Sequence, residues 1–262
     1  MEQIDLKGSQ RILLELAKEV CRIAERHGIP VFMVGGTMLG AIRHKGFIPW
    51  DDDMDFGVTY NHFFELISIL KKELPVRYEC VCYEDNNPTV SFFFKVEDTA
   101  TVVDDPCIDL PVSKKRGLSI DIFPIVSCSA EKGPAMTEKV QKILLKGKMR
   151  VIPQNASWRK KFMKRVIVFF MGGSNLKEKR KVKEILDATP AGDKYCNVAS
   201  PQFWRVIWPK ETFDDLERYT FEDTTFLGPK DYDAYLTRCY KNYMALPPEN
   251  KRRTHIIDTF LK

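Results

Sequence analysis

Residues 31–58 read VFMVGGTMLGAIRHKGFIPWDDDMDFGV, and the fold turns on how this stretch is parsed. VFMV is a short apolar run that predicts a buried strand. Gly35-Gly36-Thr37 then turns the chain into a short helix, TMLGAIRHKG. Glycines let backbone approach a ligand closely, and the free N–H groups of a helix start favour phosphate. A GG pair on its own is also what any tight turn needs. Residues 47–52 read as a loop broken by Pro49. Met54, Phe56 and Val58 alternate with Asp53, Asp55 and Gly57, the pattern of a strand with one wet face. On such a strand Asp53 and Asp55 point the same way and repel each other unless a cation lies between them. Hard carboxylate oxygens at that spacing suit Mg²⁺ or Mn²⁺. The competing reading is a solvated acidic turn. Ile48, Pro49, Trp50, Met54 and Phe56 argue against it, because acids in apolar surroundings are costly without compensating charge.

Outward from this segment, residues 9–27 and 61–74 carry apolar positions at helical spacing, with Ser9 the expected cap of the first helix. RYECVCYE, TVSFFFKVED, TATVVDD and LSIDIFPIV predict strands separated by Asn, Asp or Pro. Asp121, between Ile120 and Ile122, is an acid on an otherwise apolar strand. Alone it reads as a strand-end Asp bonding local backbone; beside the upstream pair it reads as a third ligand or a general base. From about residue 131 helical patterns and basic residues dominate. The expectation is an α/β (α+β) protein: a catalytic core over 1–130 and a mostly helical region over 131–262.

The 262 residues are 44% hydrophobic and 29% charged, an ordinary globular composition. Lys and Arg number 41 against 36 Asp and Glu, a net charge of +5. That small excess does not mark a nucleic-acid binder; it suits an anionic ligand or an anionic membrane surface. The seven cysteines form no CxxC pair and read as free thiols in a reducing compartment. The N-terminus begins acidic and amphipathic, unlike a signal peptide, and the apolar run over 166–173 is too short to cross a bilayer. A cytoplasmic location is the expectation. WRKKFMKRVIVFFMGG admits two readings: a helix resting on the inner, anionic face of a membrane, or an ordinary helix with a basic face packed on the core.

GGTMLGAIRHKGFIPWDDDMDFGV closely resembles the signature of LicD-type proteins, the family that includes fukutin and fukutin-related protein. GLSIDIFPI resembles that family's later acidic strand, and LGPKDYDAYLTRCYKNYMALPPENKRRTH its C-terminal pattern. The resemblance implies a nucleotidyltransferase-like mixed sheet and a metal-dependent phosphotransferase. It further implies transfer of phosphocholine from CDP-choline to a cell-surface glycan or lipid-linked saccharide, with ribitol, glycerol or ethanolamine phosphate, or the nucleotide itself, as rival groups. Carried over by position, it makes Asp53, Asp55 and Asp121 the metal ligands, with Asp51 beside them. Gly35, Gly36 and Thr37 fall at donor-phosphate positions. Arg43, His44, Lys95, Arg252 and His255 are the basic candidates for the donor, against a surface arginine for Arg43, a solvated strand lysine for Lys95 and a structural bend for the LPP segment. Trp50, Trp204, Trp208, Tyr232 and Tyr243 are the aromatic candidates for a choline cage, but each reads first as a core residue and no cage is assigned.

Overall fold

The computed structural model describes residues 2–82, 92–104, 116–148, 157–171, 174–200, 202, 206–252 and 258–262. His255, Trp204 and Cys107 lie outside them. The chain opens with β1 (Gln3–Ile4), α1 (Leu6–Arg26), β2 (Phe32–Met33), α2 (Gly35–His44), β3 (Asp55–Thr59) and α3 (Tyr60–Glu73). Strands β4 (Tyr78–Val81), β5 (Phe94–Asp98), β6 (Thr101–Asp104) and β7 (Ser119–Cys128) follow. Three helices come next, α4 (Gly133–Lys148), α5 (Trp158–Met171) and α6 (Asn175–Asp187), then β8 (Lys194–Asn197), β9 (Ile207–Pro209) and α7 (Glu211–Asp214). A hairpin of β10 (Leu216–Phe221) and β11 (Thr224–Pro229), helix α8 (Tyr232–Tyr240) and β12 (Asp258–Leu261) end the chain.

Helix α1 starts three residues before the expected Ser9. Asp5 caps it, its carboxylate accepting the Gly8 N–H at 2.7 Å, while Ser9 is buried. The apolar stripe Leu13, Leu16, Ala17, Val20, Ile23 and Ala24 is buried along its length. Helices α1 and α3 pack on each other and on the central strands. Phe63 of α3 meets Phe92 and Phe94 at ring distances of 6.2 and 5.3 Å, which anchors that layer.

Among the described residues, nine strands form one mixed sheet with the path β10-β11-β2-β3-β7-β5-β4, to which β8 adds beside the far end of β7 and β9 beside β8. The pairs β3/β7 and β11/β2 are parallel; the other pairs are antiparallel. A second sheet joins β1, β12 and β6. The expected mixed sheet is present. The mostly helical remainder is not: residues after 130 supply β8 to β12. These strands are three to six residues long, and their backbone groups are satisfied by distant partners, β7 for β8, β2 for β11, β1 and β6 for β12. Local periodicity carries no trace of such pairing. Among the described residues no helix is long and apolar enough to cross a membrane.

Helix α2 lies close against the loop that leads to the acids. A Cβ at Gly40 would stand 2.5 Å from the Gly46 carbonyl oxygen. Backbone cannot yield there as a flexible side chain would, so Gly40→Ala is expected to cost about 1–3 kcal/mol of stability. Urea unfolding measures this; a loss below about 0.5 kcal/mol, within the range of ordinary surface changes, would contradict the close approach.

Candidate active site

Strand register builds the site. In the parallel pair β3/β7, Asp55 stands opposite Asp121; in the antiparallel pair β5/β7, Asp121 stands opposite Lys95. Paired residues on adjacent strands project to the same face, so Asp55, Asp121 and Lys95 form a row across three neighbouring strands. Lys95 Nζ makes an ion pair with Asp121 Oδ1. The lysine is therefore not a solvated strand residue but the cation of the acidic cluster.

Asp53 precedes β3 instead of lying on it, yet it remains in electrostatic contact with Asp51, Asp55 and Asp121. All four carboxyls are thus brought together. Burial, then the neighbouring Asp53 charge, pushes the Asp51 carboxyl up to about 8. Burial, followed by Asp53 and Asp121, raises Asp55 well above the usual carboxylate range. Asp121 is raised by burial as well, against the pull of Lys95. Burial works against the charge of Lys95, but its acidic neighbours hold its titration above the ordinary lysine value. Like charges gathered under cover favour protons or cations. Among the described residues no three acidic, His or Cys side chains close into a ready-made metal cage.

The glycine turn is shaped by these acids. Gly35 adopts φ +55°, a left-handed conformation costly for other residues. A Cβ there would sit 3.2 Å from Asp55 Oδ2, and one at Gly36 would sit 3.1 Å from Asp51 Oδ2. Thr37 Oγ1 accepts the Asp55 N–H at 2.7 Å, and the Val34 N–H donates to the Asp55 carbonyl at 3.1 Å. The start of α2 and the start of β3 are thereby tied together through backbone.

Three residues with no role in the sequence reading belong to this site. Tyr235 Oη accepts the Gly35 N–H at 2.9 Å and fixes the strained turn. The Tyr240 hydroxyl lies 3.8 Å from where a Gly35 Cβ would be, close enough to feel Asp51, Asp53 and Asp55. Gln10 Nε2 donates to the Asp51 carbonyl at 2.8 Å. Only the tyrosines had a local signal, the aromatic density of YDAYLTRCYKNY behind the capping Asp231.

Of the other basic candidates, Arg43 and His44 form the last turn of α2, and Arg252 lies on the C-terminal segment. Arg43 donates from Nε to His44 Nε2 at 2.9 Å and from a terminal nitrogen to the Tyr243 carbonyl at 2.9 Å. Burial lowers the pKa of both Arg43 and His44. The Arg252 guanidinium lies 4.8 Å from the Trp50 ring centre, and its Nε donates to the Pro247 carbonyl at 3.1 Å. The LPP segment therefore does fold back onto the acidic loop. Trp50, with Arg252 on its face, has a cation already. Trp208 packs on Phe213 and Tyr235, Tyr232 on Tyr219, and the Tyr243 hydroxyl bonds Asp233 at 2.6 Å, so none of these four presents an open cage.

Replacing Lys95 by methionine removes the cation from the row. The expected loss is about 1–3 kcal/mol at pH 8. It should be smaller at pH 5, where the raised carboxyls carry protons and need the cation less. Urea titrations at the two pH values check the sign; an equal or larger loss at pH 5 would refute the assignment.

The family model described as LicD/FKTN/FKRP, nucleotidyltransferase domain, matches residues 28–164, just over half of the chain and inclusive of all four acids. Over 270 aligned residues the chain is 25% identical to the lipopolysaccharide cholinephosphotransferase LicD of Haemophilus influenzae, covering 98% of both proteins. A 48-residue segment, 18% of this chain and 10% of the relative, is 44% identical to the ribitol 5-phosphate transferase FKRP of Homo sapiens, and the same holds for the Mus musculus protein. The chain belongs to the LicD/FKTN/FKRP family, transferases of phosphorus-containing groups.

Proposed function

We propose that this protein moves phosphocholine from CDP-choline to a hydroxyl of a cell-surface glycan or of its lipid-linked precursor, releasing CMP. The observation that carries the reading is the Asp55–Asp121–Lys95 row, with Asp53 and Asp51 beside it, set against the glycine turn at the start of α2. The choice of phosphocholine leans on the full-length likeness to the Haemophilus protein.

The donor set suits Mg²⁺ or Mn²⁺. Its atoms are hard carboxylate oxygens, and their mutual repulsion under burial favours a cation. Asp53, Asp55 and Asp121 would hold it, with Asp51 alongside; Mg²⁺ commonly needs only one or two carboxylates, its other ligands being phosphate oxygens and water. The ion would supply neutralisation of charge on the phosphates. The remaining work falls to the chain. The Gly36 and Thr37 amides at the start of α2 receive donor phosphate oxygens, while Gly35 keeps its own N–H on Tyr235. The acceptor oxygen attacks the choline-bearing phosphorus, the bond from that phosphorus to the CMP oxygen breaks, and Asp121 takes the hydroxyl proton. Lys95 holds Asp121 in place for that transfer. Arg43 secures the C-terminal segment beside the donor site through the Tyr243 carbonyl, and Arg252 does so on the Trp50 ring; His44 and His255 are donor-binding residues by family position alone.

A second reading, transfer of another CDP-linked alcohol phosphate such as ribitol phosphate, is favoured by the FKRP-like segment. Incubation with CDP-choline, CDP-ribitol, CDP-glycerol and CDP-ethanolamine separates the two by which donor turns over. CMP as the nucleotide product supports head-group transfer; release of the free alcohol phosphate, with CMP retained on the acceptor, would mean that the nucleotide itself is attached.

Asp53→Asn and Asp55→Asn are each expected to lower turnover on the order of 10³-fold or more with an unchanged circular dichroism spectrum. Full activity in either variant would remove these carboxylates from the mechanism. The pH dependence has a definite sign. In the folded chain Asp51 keeps its proton up to about 8, whereas an unfolded Asp loses it near 3.8. Folding thus binds the extra proton across this window, so this contribution to stability falls as pH rises from about 4 to 8. Added Mg²⁺ competes with those protons, and its stabilisation of the fold should grow with pH. Thermal unfolding with and without Mg²⁺ at pH 6 and 8.5 should give the larger shift at 8.5; a larger shift at 6 would contradict cation binding at these acids.

A further inference from the structure

Helix α5 is built the wrong way round for water. Its 14 residues, WRKKFMKRVIVFFM, carry Arg159, Lys160, Lys161, Lys164 and Arg165 and no acid. Trp158, Phe162, Val166 and Phe169 recur at i, i+4, i+8 and i+11, a single helical stripe. All four are exposed, with 73% of Trp158, 63% of Phe162 and 80% of Phe169 in solvent, and Met163 flanks them at 64%. The less exposed described positions are Lys161, Lys164 and Val168. A helix selected only for solubility would cover its rings and expose its lysines. The sequence-based alternative, in which these apolar residues pack on the core, is not what the structure adopts for this stripe.

We propose that α5 docks the protein on an anionic lipid surface, lying in the plane of the interface with the Trp158–Phe162–Val166–Phe169 stripe at the headgroup boundary. Charge complementarity selects this occupant. Arg165 and Lys161 border the stripe on one side and Arg159 on the other, where lipid phosphates would meet them. Across residues 157–183 the sequence has Glu178 as its sole acid, so the segment carries a strong excess of positive charge. At 14 residues the helix is about 21 Å long, too short to span a bilayer but sufficient to lie on one. A tryptophan at the first position and phenylalanines beneath it match the side chains that favour the interface. This surface is independent of which head group the active site transfers.

The test is flotation of the full chain with vesicles of phosphatidylglycerol and phosphatidylcholine against pure phosphatidylcholine at about 0.1 M salt. Partition to the anionic vesicles should be about tenfold greater or more, and should weaken as salt rises. Combined R159E, K160E and R165E should abolish the preference, and F162S with F169S should release the protein from both vesicle types. These side chains are all exposed, so the variants should keep the fold, as circular dichroism will show. Asp55→Asn should float like the unaltered chain, which separates this proposal from the active-site reading. Equal partition to the two vesicle types, unchanged binding of the variants, or loss of binding in Asp55→Asn would overturn it. So would a dimer, seen by light scattering without lipid and dissolved by F162S, since a second copy would then cover the stripe.

Discussion

Four carboxyls share one small volume, and most of the surrounding architecture is arranged around their repulsion. Each is raised in pKa by burial and by at least one of the others or is the source of that push. Nothing in a solvated loop would hold them so. The parallel registration of β3 on β7 does, because ladder hydrogen bonds lock Asp55 beside Asp121 whatever their charges prefer. Lys95, placed by β5 on the other flank of β7, offsets part of the repulsion. The glycines of the α2 turn serve the same constraint: with side chains at positions 35 and 36, carboxylate oxygens would be forced from where they sit. Carboxyls whose titration is shifted this far by burial and by like charge cluster at functional sites.

The C-terminal segment is as much part of this site as the acidic run. Tyr235 and Tyr240 of α8 reach the glycine turn, Arg43 holds the loop after α8 through the Tyr243 carbonyl, and Arg252 covers Trp50. Strand β11 pairs with β2, so the α8 helix that follows it is delivered directly behind α2. The two ends of the chain meet again in the small β1-β12-β6 sheet. A site assembled from residues 35–55, 95, 121 and 235–252 depends on the whole chain folding at once, consistent with likeness to a relative that runs nearly end to end.

How much was legible beforehand differs by residue. The acids and glycines announced themselves, because a carboxylate-rich run framed by Trp50, Met54 and Phe56 has few inexpensive explanations. Asp121 was legible for a similar reason, an acid among isoleucines. Lys95 was ambiguous: one lysine in a strand looks the same whether it meets water or an aspartate, and only the β5/β7 register distinguishes them. Gln10 left no signal, since a helix glutamine bonding a distant carbonyl has no local pattern. The helical reading of the second half erred because β8, β9 and β12 are short and owe their form to partners far away in sequence.

By itself, then, the sequence determined the acids and glycines of the candidate site and the elements nearest to them: an apolar strand, a glycine-started helix, an acid-bearing strand and a later strand with one acid among apolar residues. Alternation, turn chemistry and the cost of burying charge are local properties, so they can be read locally. Tertiary structure decided everything that depends on contact between distant segments. It set Asp55, Asp121 and Lys95 in a row, recruited Tyr235 and Tyr240, folded Arg252 onto Trp50, and left the α5 stripe facing outward. Strand register and long-range packing are cooperative choices made by the whole chain, and no window of residues contains them.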